Sequence, residues 1–310
     1  MRTSSSTARL LTIVVALVLT PIALILLSVG GQTMNLTLLA YGFDGDVTPL
    51  IGPVLLQALG LALLVLVALT GIRSSAGLIV VGLSSIGPLV VAVLPVTLSW
   101  LYRVTPREWG DGLLYGVPLI VLASLGAMGL VLALVRRDPR PKSGVLGGIG
   151  LIASPLLLVA GAGAIAWGIA DGTLFALQRF QFDIRPGAAG AVVAGTVLVV
   201  AGVLLTRWSP FALILPAVAL LAVGVALIAA PDATVPMLFQ LPRPLNTVVP
   251  SMLLYAGGAA AGVLYLAFTA VLLRVRAQSR RSEQAPSAPA TYPPATYPPT
   301  ATTPATYPPA

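Results

Sequence analysis

Eight apolar segments constrain this chain more than any other feature, because each is 20 to 26 residues long and none contains Asp, Glu, Lys or Arg. A helix of about 20 apolar residues spans the hydrocarbon core of a bilayer, where the backbone has no partner except itself. We therefore predict an all-α integral membrane protein with eight transmembrane helices. The predicted spans cover residues 10–30, 50–72, 76–98, 112–135, 145–170, 187–206, 210–230 and 251–273.

The composition excludes several other classes of protein. Hydrophobic residues make up 57% of the 310 positions and charged residues only 8%, which leaves too little polar surface to cover a soluble globule. The chain has no Cys and no His, so disulfides, thiolate catalysis and imidazole acid–base chemistry are ruled out. Ala, Gly, Val and Leu are abundant and Arg outnumbers Lys sixteen to one, a pattern typical of a GC-rich bacterial genome.

Prolines recur at a regular interval in the predicted spans. Pro21, Pro88 and Pro155 are equally spaced along the chain, and Pro216 follows after a slightly shorter interval. A fixed period of this size predicts a duplicated supersecondary unit. We interpret residues 1–276 as four tandem transmembrane helical hairpins with a period of about 67 residues. Within these hairpins the prolines could act as hinges for alternating access. The alternative is that they form static kinks inherited by duplication.

Arginine and lysine residues are distributed unevenly between the two sides of the predicted bundle. Twelve of the 17 lie with the two termini and the turns near residues 73–75, 136–143 and 207–209, and five lie in the opposite loops. The positive-inside rule then predicts that both termini are cytoplasmic, in a multi-pass plasma-membrane protein. The net charge of +8 indicates contact with anionic lipid on the cytoplasmic side rather than with nucleic acid.

Three loop aspartates, Asp44, Asp111 and Asp183, each lie shortly after an aromatic residue and shortly before a predicted span. If the four hairpins closed around a common axis, these carboxylates would meet and could hold a hard cation through oxygen ligands. The alternative is that each carboxylate caps the N-terminus of a helix. Since no spacing matches a known metal loop, the three are weak metal candidates, and we predict no bound cofactor.

Gln57 is the most polar residue inside a predicted span. Its side chain can contact a substrate, or it can make an interhelical hydrogen bond. The sequence contains no P-loop, no HExxH or G-x-S-x-G motif, and no GxGxxG in a strand–helix context. We therefore predict that the protein is not an enzyme.

Residues 277–310 differ from the membrane domain in being polar and rich in Pro and Tyr. Three copies of a Thr-Tyr-Pro-Pro unit lie in this tail, which we predict to be disordered and cytoplasmic. Tandem Tyr-Pro-Pro units can bind an aromatic-groove domain of a partner protein, and a simple spacer is the alternative. The predicted partner-binding residues are Tyr292, Pro293, Pro294, Tyr297, Pro298, Pro299, Tyr307, Pro308 and Pro309.

These features lead to two expectations about function. The first is a non-enzymatic envelope or scaffold protein that binds partners through its outer loops and its Pro-rich tail. The second is a transporter or channel for an uncharged or lipid-like substrate, bound at the interface between repeats. The absence of ionisable residues from the predicted spans disfavours a proton relay or an ion pathway.

Overall fold

A computed structural model describes residues 6–40, 48–138 and 144–284, and within these ranges the only regular elements are helices. The long apolar segments become helical because only a helix satisfies every backbone polar group within one segment. We number the α-helices in chain order as α1 (Ser6–Asn35), α2 (Thr48–Thr70), α3 (Ala76–Leu83), α4 (Ile86–Val93), α5 (Val96–Val104), α6 (Arg107–Leu114), α7 (Val117–Arg137), α8 (Gly144–Ile169), α9 (Phe175–Arg179), α10 (Pro186–Leu204), α11 (Ile214–Ala229), α12 (Pro231–Phe239), α13 (Leu245–Leu254) and α14 (Gly257–Gln284).

Seven helical segments in the described ranges are long and apolar enough to cross a membrane. An eighth is formed by α11 and α12 if this pair, which is bent by 120°, is counted as one crossing. Many large apolar residues on these helices face outward, for example Val145, which is 73% exposed, and Ile152, which is 68% exposed. Such a surface suits lipid rather than water, so the structure fits a multi-pass helical membrane protein.

The long helices pack in pairs that follow the order of the chain. Helix α1 packs against α2, α3 against α7, α8 against α10, and α11 against α14. Small residues allow two of these contacts to be close, since Gly82 of α3 meets Gly126 of α7 and Gly161 of α8 meets Gly195 of α10. Helix α7 also contacts α10 and α14 and buries most of its side chains, so the core lies around it.

Three interruptions divide helices that the apolar pattern alone presents as continuous. Ser84 and Ser85 form a turn between α3 and α4. Gly116, with a φ of 71°, separates α6 from α7, and Ala256, with a φ of 57°, separates α13 from α14. Both residues adopt the left-handed conformation, in which the hydrogen-bond ladder of a helix cannot continue. Carbonyl groups next to each break therefore need partners from elsewhere in the protein.

These interruptions change the boundaries of several predicted segments. The predicted span 76–98 is divided between α3, α4 and the start of α5, and residues 99–111, which connect it to the next predicted span, are largely helical. The predicted span 112–135 becomes helical as α7 only from residue 117, and the span 251–273 is continuous only from residue 257. The apolar pattern indicates which residues prefer lipid, but it does not indicate where a helix is interrupted.

Helices α1 and α8 remain continuous over their whole length. Pro21 lies inside α1 and Pro155 lies inside α8. Each helix continues into a π-helical turn, at Leu36–Ala40 and at Ala170–Leu174 respectively. The distance along the chain between the two prolines equals the distance between the two π-helical turns, so the first and third helix pairs share two local features in the same register.

Candidate functional site

A polar cluster centred on Asp111 lies where α6 packs against α1. The Tyr102 hydroxyl donates to Asp111 Oδ1, and the Gln32 amide Nε2 donates to Asp111 Oδ2, both at 3.0 Å. The Asp111 side chain is half-buried. Its two partners come from α5 and α1, so the packing of three helices sets the geometry around this carboxylate.

Ser28 of α1 fixes the position of α6. Its Oγ donates to the Glu108 carbonyl at 2.7 Å and accepts a hydrogen bond from the Gly112 backbone N–H at 2.9 Å. A Cβ atom on Gly112 would lie 3.3 Å from the Ser28 Oγ, so an alanine at this position would press on the Ser28 side chain. The α1–α6 contact in turn places Asp111, on the same helix, within reach of its α1 partner.

Two further tyrosines lie near Asp111, and each directly precedes one of the left-handed residues. The rings of Tyr115 and Tyr255 are 5.0 Å apart and tilted by 37°. The Tyr255 ring packs on Gly31 of α1, where an added Cβ would lie 2.5 Å from a ring carbon. Ser251 of α13 donates to Asn35 Oδ1 at 3.2 Å. The cluster therefore joins both left-handed breaks to the end of α1.

Burial dominates the electrostatics of the cluster. It raises the pKa of the Asp111 carboxyl above its ordinary value of 3.8, although the hydrogen bonds from Tyr102 and Gln32 act in the opposite direction. Burial, together with the nearby Asp111 charge, also raises the pKa of the Tyr102 phenol. Tyr102 therefore stays protonated and remains a hydrogen-bond donor, while Asp111 holds its proton to a higher pH than an exposed aspartate does.

We expect Asp111→Ala to destabilise the protein by about 1–2 kcal/mol, because Tyr102 and Gln32 lose their shared acceptor in a half-buried place. The matched control Asp111→Asn removes the charge but keeps one acceptor oxygen for Tyr102 and presents an NH2 group to which the Gln32 amide oxygen can turn, so its stability should stay within about 0.5 kcal/mol of the wild type. Unfolding by added dodecyl sulfate in detergent micelles measures both differences. Equal stability of Asp111→Ala and Asp111→Asn would contradict a role for these hydrogen bonds.

The raised pKa of Asp111 also gives a pH dependence with a definite sign. The folded state binds the Asp111 proton more tightly than the unfolded chain, so this stabilisation is complete below the unfolded pKa and is lost as pH rises through the folded pKa. We expect the unfolding free energy of the wild type to fall relative to Asp111→Asn as the pH increases from about 4. A constant difference between the two proteins across this range would show that Asp111 does not titrate as inferred.

The predicted metal candidates that can be located lie in different surroundings. Asp183 is exposed in the segment before α10 and takes no part in the hydrogen bonds of Asp111. Across the described ranges, no group of three or more Asp, Glu, His or Cys side chains is arranged to hold a metal ion. The structure therefore offers no support, within those ranges, for a cation site built from these aspartates.

The alternative interpretation of these aspartates as helix caps is wrong for Asp111 and Asp183. Asp111 lies inside α6, whose N-cap is Pro106, and the N-cap of α10 is Arg185. Neither helix has a side-chain hydrogen bond at its cap. The reason is that α6 begins directly after Pro106, ahead of the predicted span, so Asp111 is already within a helix.

Two groups of predicted site residues lie outside the described residues. One is Asp44, the first of the three metal candidates. The other is the set of nine Tyr and Pro residues in the tail, from Tyr292 to Pro309. Their roles remain predictions from the sequence.

A second charged group closes the turn between α8 and α10. The Arg185 guanidinium donates to the Asp171 carboxylate at 2.5 Å and to the Asp171 carbonyl at 2.6 Å. The same guanidinium lies 4.3 Å from the centre of the Phe175 ring, within range of a cation–π interaction. These contacts satisfy Arg185 locally, so we assign it a structural role.

An apolar cavity of about 380 Å³ lies between α8 on one side and α11, α13 and α14 on the other. Helix α8 packs extensively on α10 but only slightly on α11, which leaves this space between them. Residues on both sides of the break at Ala256 line the cavity, namely Met252, Leu253, Gly257 and Gly258. The interruption between α13 and α14 is therefore part of the cavity wall.

Gln57 donates a hydrogen bond to a backbone carbonyl beside this break. Its Nε2 donates to the Leu254 carbonyl at 2.7 Å, in a buried position. Leu254 is the last residue of α13, so the break at Ala256 removes the helical partner of that carbonyl. Gly30 of α1 packs on Gln57, where an added Cβ would lie 2.9 Å from the Gln57 Cγ. The structure therefore shows one of the two predicted roles of Gln57, the interhelical hydrogen bond.

At the opposite end of the bundle, two arginines bind the final carbonyls of neighbouring helices. Arg136, at the end of α7, donates to the carbonyls of residues 71 and 72 directly after α2. Arg276 of α14 donates to the carbonyls of residues 206 and 207, after α10, at 3.1 and 2.8 Å. Each arginine therefore joins its own helix pair to the preceding one through charge-assisted hydrogen bonds.

Comparison with known proteins does not assign the chain to a family. No family model matches it, and no curated protein and no solved structure matches it significantly. The geometry of the cavity, the broken helices and the polar cluster is therefore the basis on which a function can be proposed.

Proposed function

We propose that the chain crosses the membrane eight times, as four hairpins organised in two related halves. The left-handed residues Gly116 and Ala256 are separated by the same stretch of chain as the capping arginines Arg136 and Arg276. This shared offset relates the second hairpin to the fourth, just as the matching positions of the π-helical turns relate the first to the third. A duplicated two-hairpin unit accounts for both relationships.

The orientation follows from the distribution of charge. We place both termini on the cytoplasmic side of a plasma membrane, as the positive-inside rule predicts from the sequence. The arginines that cap α2 and α10 then lie at the inner end of the bundle, and the Asp111 cluster lies at the outer end. This arrangement leaves the left-handed breaks in the outer half.

The proposed function is to bind an uncharged or lipid-like molecule in the apolar cavity and to pass it through the membrane. One observation carries this proposal, namely that a broken helix lines the cavity of about 380 Å³. Cavities of about 300–1,000 Å³ hold small ligands, and interrupted helices at membrane depth are found where they line a binding site. A break of this kind also allows one helix pair to move against another.

The lining of the cavity favours an apolar ligand. Its wall is formed almost entirely by aliphatic side chains and glycines, with Tyr265 as a polar contribution. The Tyr265 hydroxyl is 3.4 Å from the Ser124 Oγ, and no other polar side chain is among the described residues that line the cavity. A charged group would lose its hydration in such a site without compensation, whereas an acyl or other hydrocarbon chain would not.

We expect a phosphatidylcholine carrying a diazirine on one acyl chain to label α8 near Ala162 on illumination of the protein in vesicles. Ala162→Trp should reduce this labelling at least fivefold, because the indole occupies the cavity that Ala162 lines. Peptide mapping by mass spectrometry locates the label. The same variant should slow protein-dependent transfer of a fluorescent, uncharged monoglycosyl diacylglycerol between leaflets.

The matched control is Ala160→Trp, which adds the same indole at an exposed alanine of the same helix that does not line the cavity. It should retain both labelling at Ala162 and transfer. Labelling confined to the exposed faces of α8, with no loss in Ala162→Trp, would refute the cavity as a lipid site. Specific labelling without any transfer would limit the function to binding.

Partner binding through the tail is a second proposed function, which does not involve the cavity. The scaffold function predicted from the sequence uses the outer loops and the Pro-rich tail, and the nine tail residues lie outside the described residues. It remains a prediction, and deletion of residues 277–310 followed by purification of associated proteins tests it directly. The cavity and the tail are independent, so one result does not decide the other.

A further inference from the structure

We infer that a second groove, at the arginine-rich end of the first hairpin, binds one anionic phospholipid. The groove has a volume of about 490 Å³ and lies between the start of α1, the end of α2 and the last part of α14. It is separate from the cavity beside α8, and none of its lining residues belongs to that cavity. The inference therefore does not depend on the proposed transport function.

The walls of the groove suit a hydrocarbon chain. On α1 the lining residues run from Leu11 to Leu19, and on α2 they include Leu66 and Leu69. Eight residues of α-helix correspond to about 12 Å, close to the roughly 15 Å that one leaflet contributes to the hydrocarbon core. An acyl chain anchored at the membrane surface would therefore lie along the groove within a single leaflet.

Two arginines supply the charge that a phosphate group would meet. Arg73 follows the end of α2 and Arg274 lies on α14, and both line the groove. Both side chains are exposed, and within the described ranges neither makes a hydrogen bond or an ion pair. Apolar walls that end in two guanidinium groups, neither of which has a carboxylate partner among the described residues, are complementary to a lipid with a negatively charged headgroup.

The third hairpin has an arginine that corresponds to Arg73 in the first. Arg207 is separated from Arg73 by the same stretch of chain that separates Pro155 from Pro21, and it occupies the matching place at the end of the third hairpin. Its guanidinium pairs with the Asp138 carboxylate at 3.3 Å. One of these two corresponding arginines thus has an internal carboxylate, and the other has an apolar groove beside it and no such partner in the described ranges. We assign the anionic partner of Arg73 to a lipid headgroup.

The test compares two lipids with identical acyl chains, palmitoyl-oleoyl phosphatidylglycerol and palmitoyl-oleoyl phosphatidylcholine, on the full chain in detergent by native mass spectrometry. We expect one phosphatidylglycerol to bind about tenfold or more tightly than phosphatidylcholine. Each of Arg73→Gln and Arg274→Gln should weaken phosphatidylglycerol binding about tenfold, as expected for loss of one charge-assisted contact. Because both arginines are exposed, these variants should fold normally, and thermal unfolding in detergent checks this.

The double variant Arg103→Gln/Arg137→Gln is the matched control, since it removes two exposed arginines that do not line the groove. Its phosphatidylglycerol affinity should stay within about twofold of the wild type. A loss equal to that of Arg73→Gln/Arg274→Gln would mean general surface attraction and would overturn the site.

A second variant tests the hydrocarbon part without changing the charge. Val15→Trp narrows the groove and should weaken phosphatidylglycerol binding at least fivefold while Arg73 and Arg274 remain. Inorganic phosphate at millimolar concentration should not displace the lipid. Unchanged affinity in Val15→Trp, or displacement by inorganic phosphate, would overturn the groove as an acyl-chain site.

Discussion

Gly126→Ala should destabilise the protein by about 3 kcal/mol, although replacing glycine with alanine inside a helix normally stabilises it by about 1 kcal/mol. The physical reason is the contact between α3 and α7. A Cβ atom on Gly126 would lie 2.6 Å from the Gly82 Cα, and one on Gly82 would lie 2.2 Å from the Gly126 Cα. Both obstacles are backbone atoms, so the two helices must separate and lose packing along their length. Unfolding by dodecyl sulfate in mixed micelles measures the loss.

Gly87→Ala is the matched control for this prediction. Gly87 lies in α4, shortly after Gly82 in the chain, and an added Cβ there meets no atom within 4 Å. We expect this substitution to be neutral or to stabilise the protein by up to about 1 kcal/mol. If Gly126→Ala were as stable as Gly87→Ala, the close approach of α3 and α7 would not be the contact that holds the second hairpin together.

Arg136→Leu should lower the free energy of unfolding by about 2–4 kcal/mol, because Arg136 donates to the carbonyls of Gly71 and Ile72. Such bonds from a charged donor are worth about 1.5–3 kcal/mol each before partial exposure reduces them. The substitution leaves these carbonyls without their arginine partner and releases the end of α2 from α7. The same detergent unfolding experiment provides the measurement.

The neighbouring Arg137 offers the control, because Arg137→Leu removes the same charge from the same end of the bundle. Its side chain is exposed and makes no hydrogen bond or ion pair within the described ranges. We expect its stability to stay within about 0.5 kcal/mol of the wild type. Equal losses in Arg136→Leu and Arg137→Leu would point to an effect of charge on membrane insertion rather than to the carbonyl contacts.

Much of the architecture follows from the sequence because the membrane restricts the choices. A segment such as 145–170 has no ionisable group and enough length to cross a bilayer, so helix is the one element it can form there. Spanning segments that follow one another along the chain then pack on each other. The pairing of α1 with α2 and of α8 with α10 follows this simple rule.

The helix breaks and the candidate site could not be predicted from the apolar pattern of the sequence. Ala256 is neither Gly nor Pro, so its own residue type does not mark its left-handed conformation, and the Leu254 carbonyl beside it is bonded by Gln57 from 197 residues away. Asp111 is bound by Gln32, which is 79 residues distant. Such contacts depend on which helices meet in three dimensions, and a single sequence does not contain that information.

The arginine contacts of Arg136 and Arg276 have a mechanical consequence for the whole molecule. They tie the ends of α2 and α10 to the neighbouring helix pair, whereas α7 and α14 each begin directly after a left-handed residue, Gly116 and Ala256, near the opposite end of the bundle. For the proposed transport function, we expect α8 and α11 to separate first at the end that lacks the arginine contacts. A ligand would then exchange with one leaflet before the other.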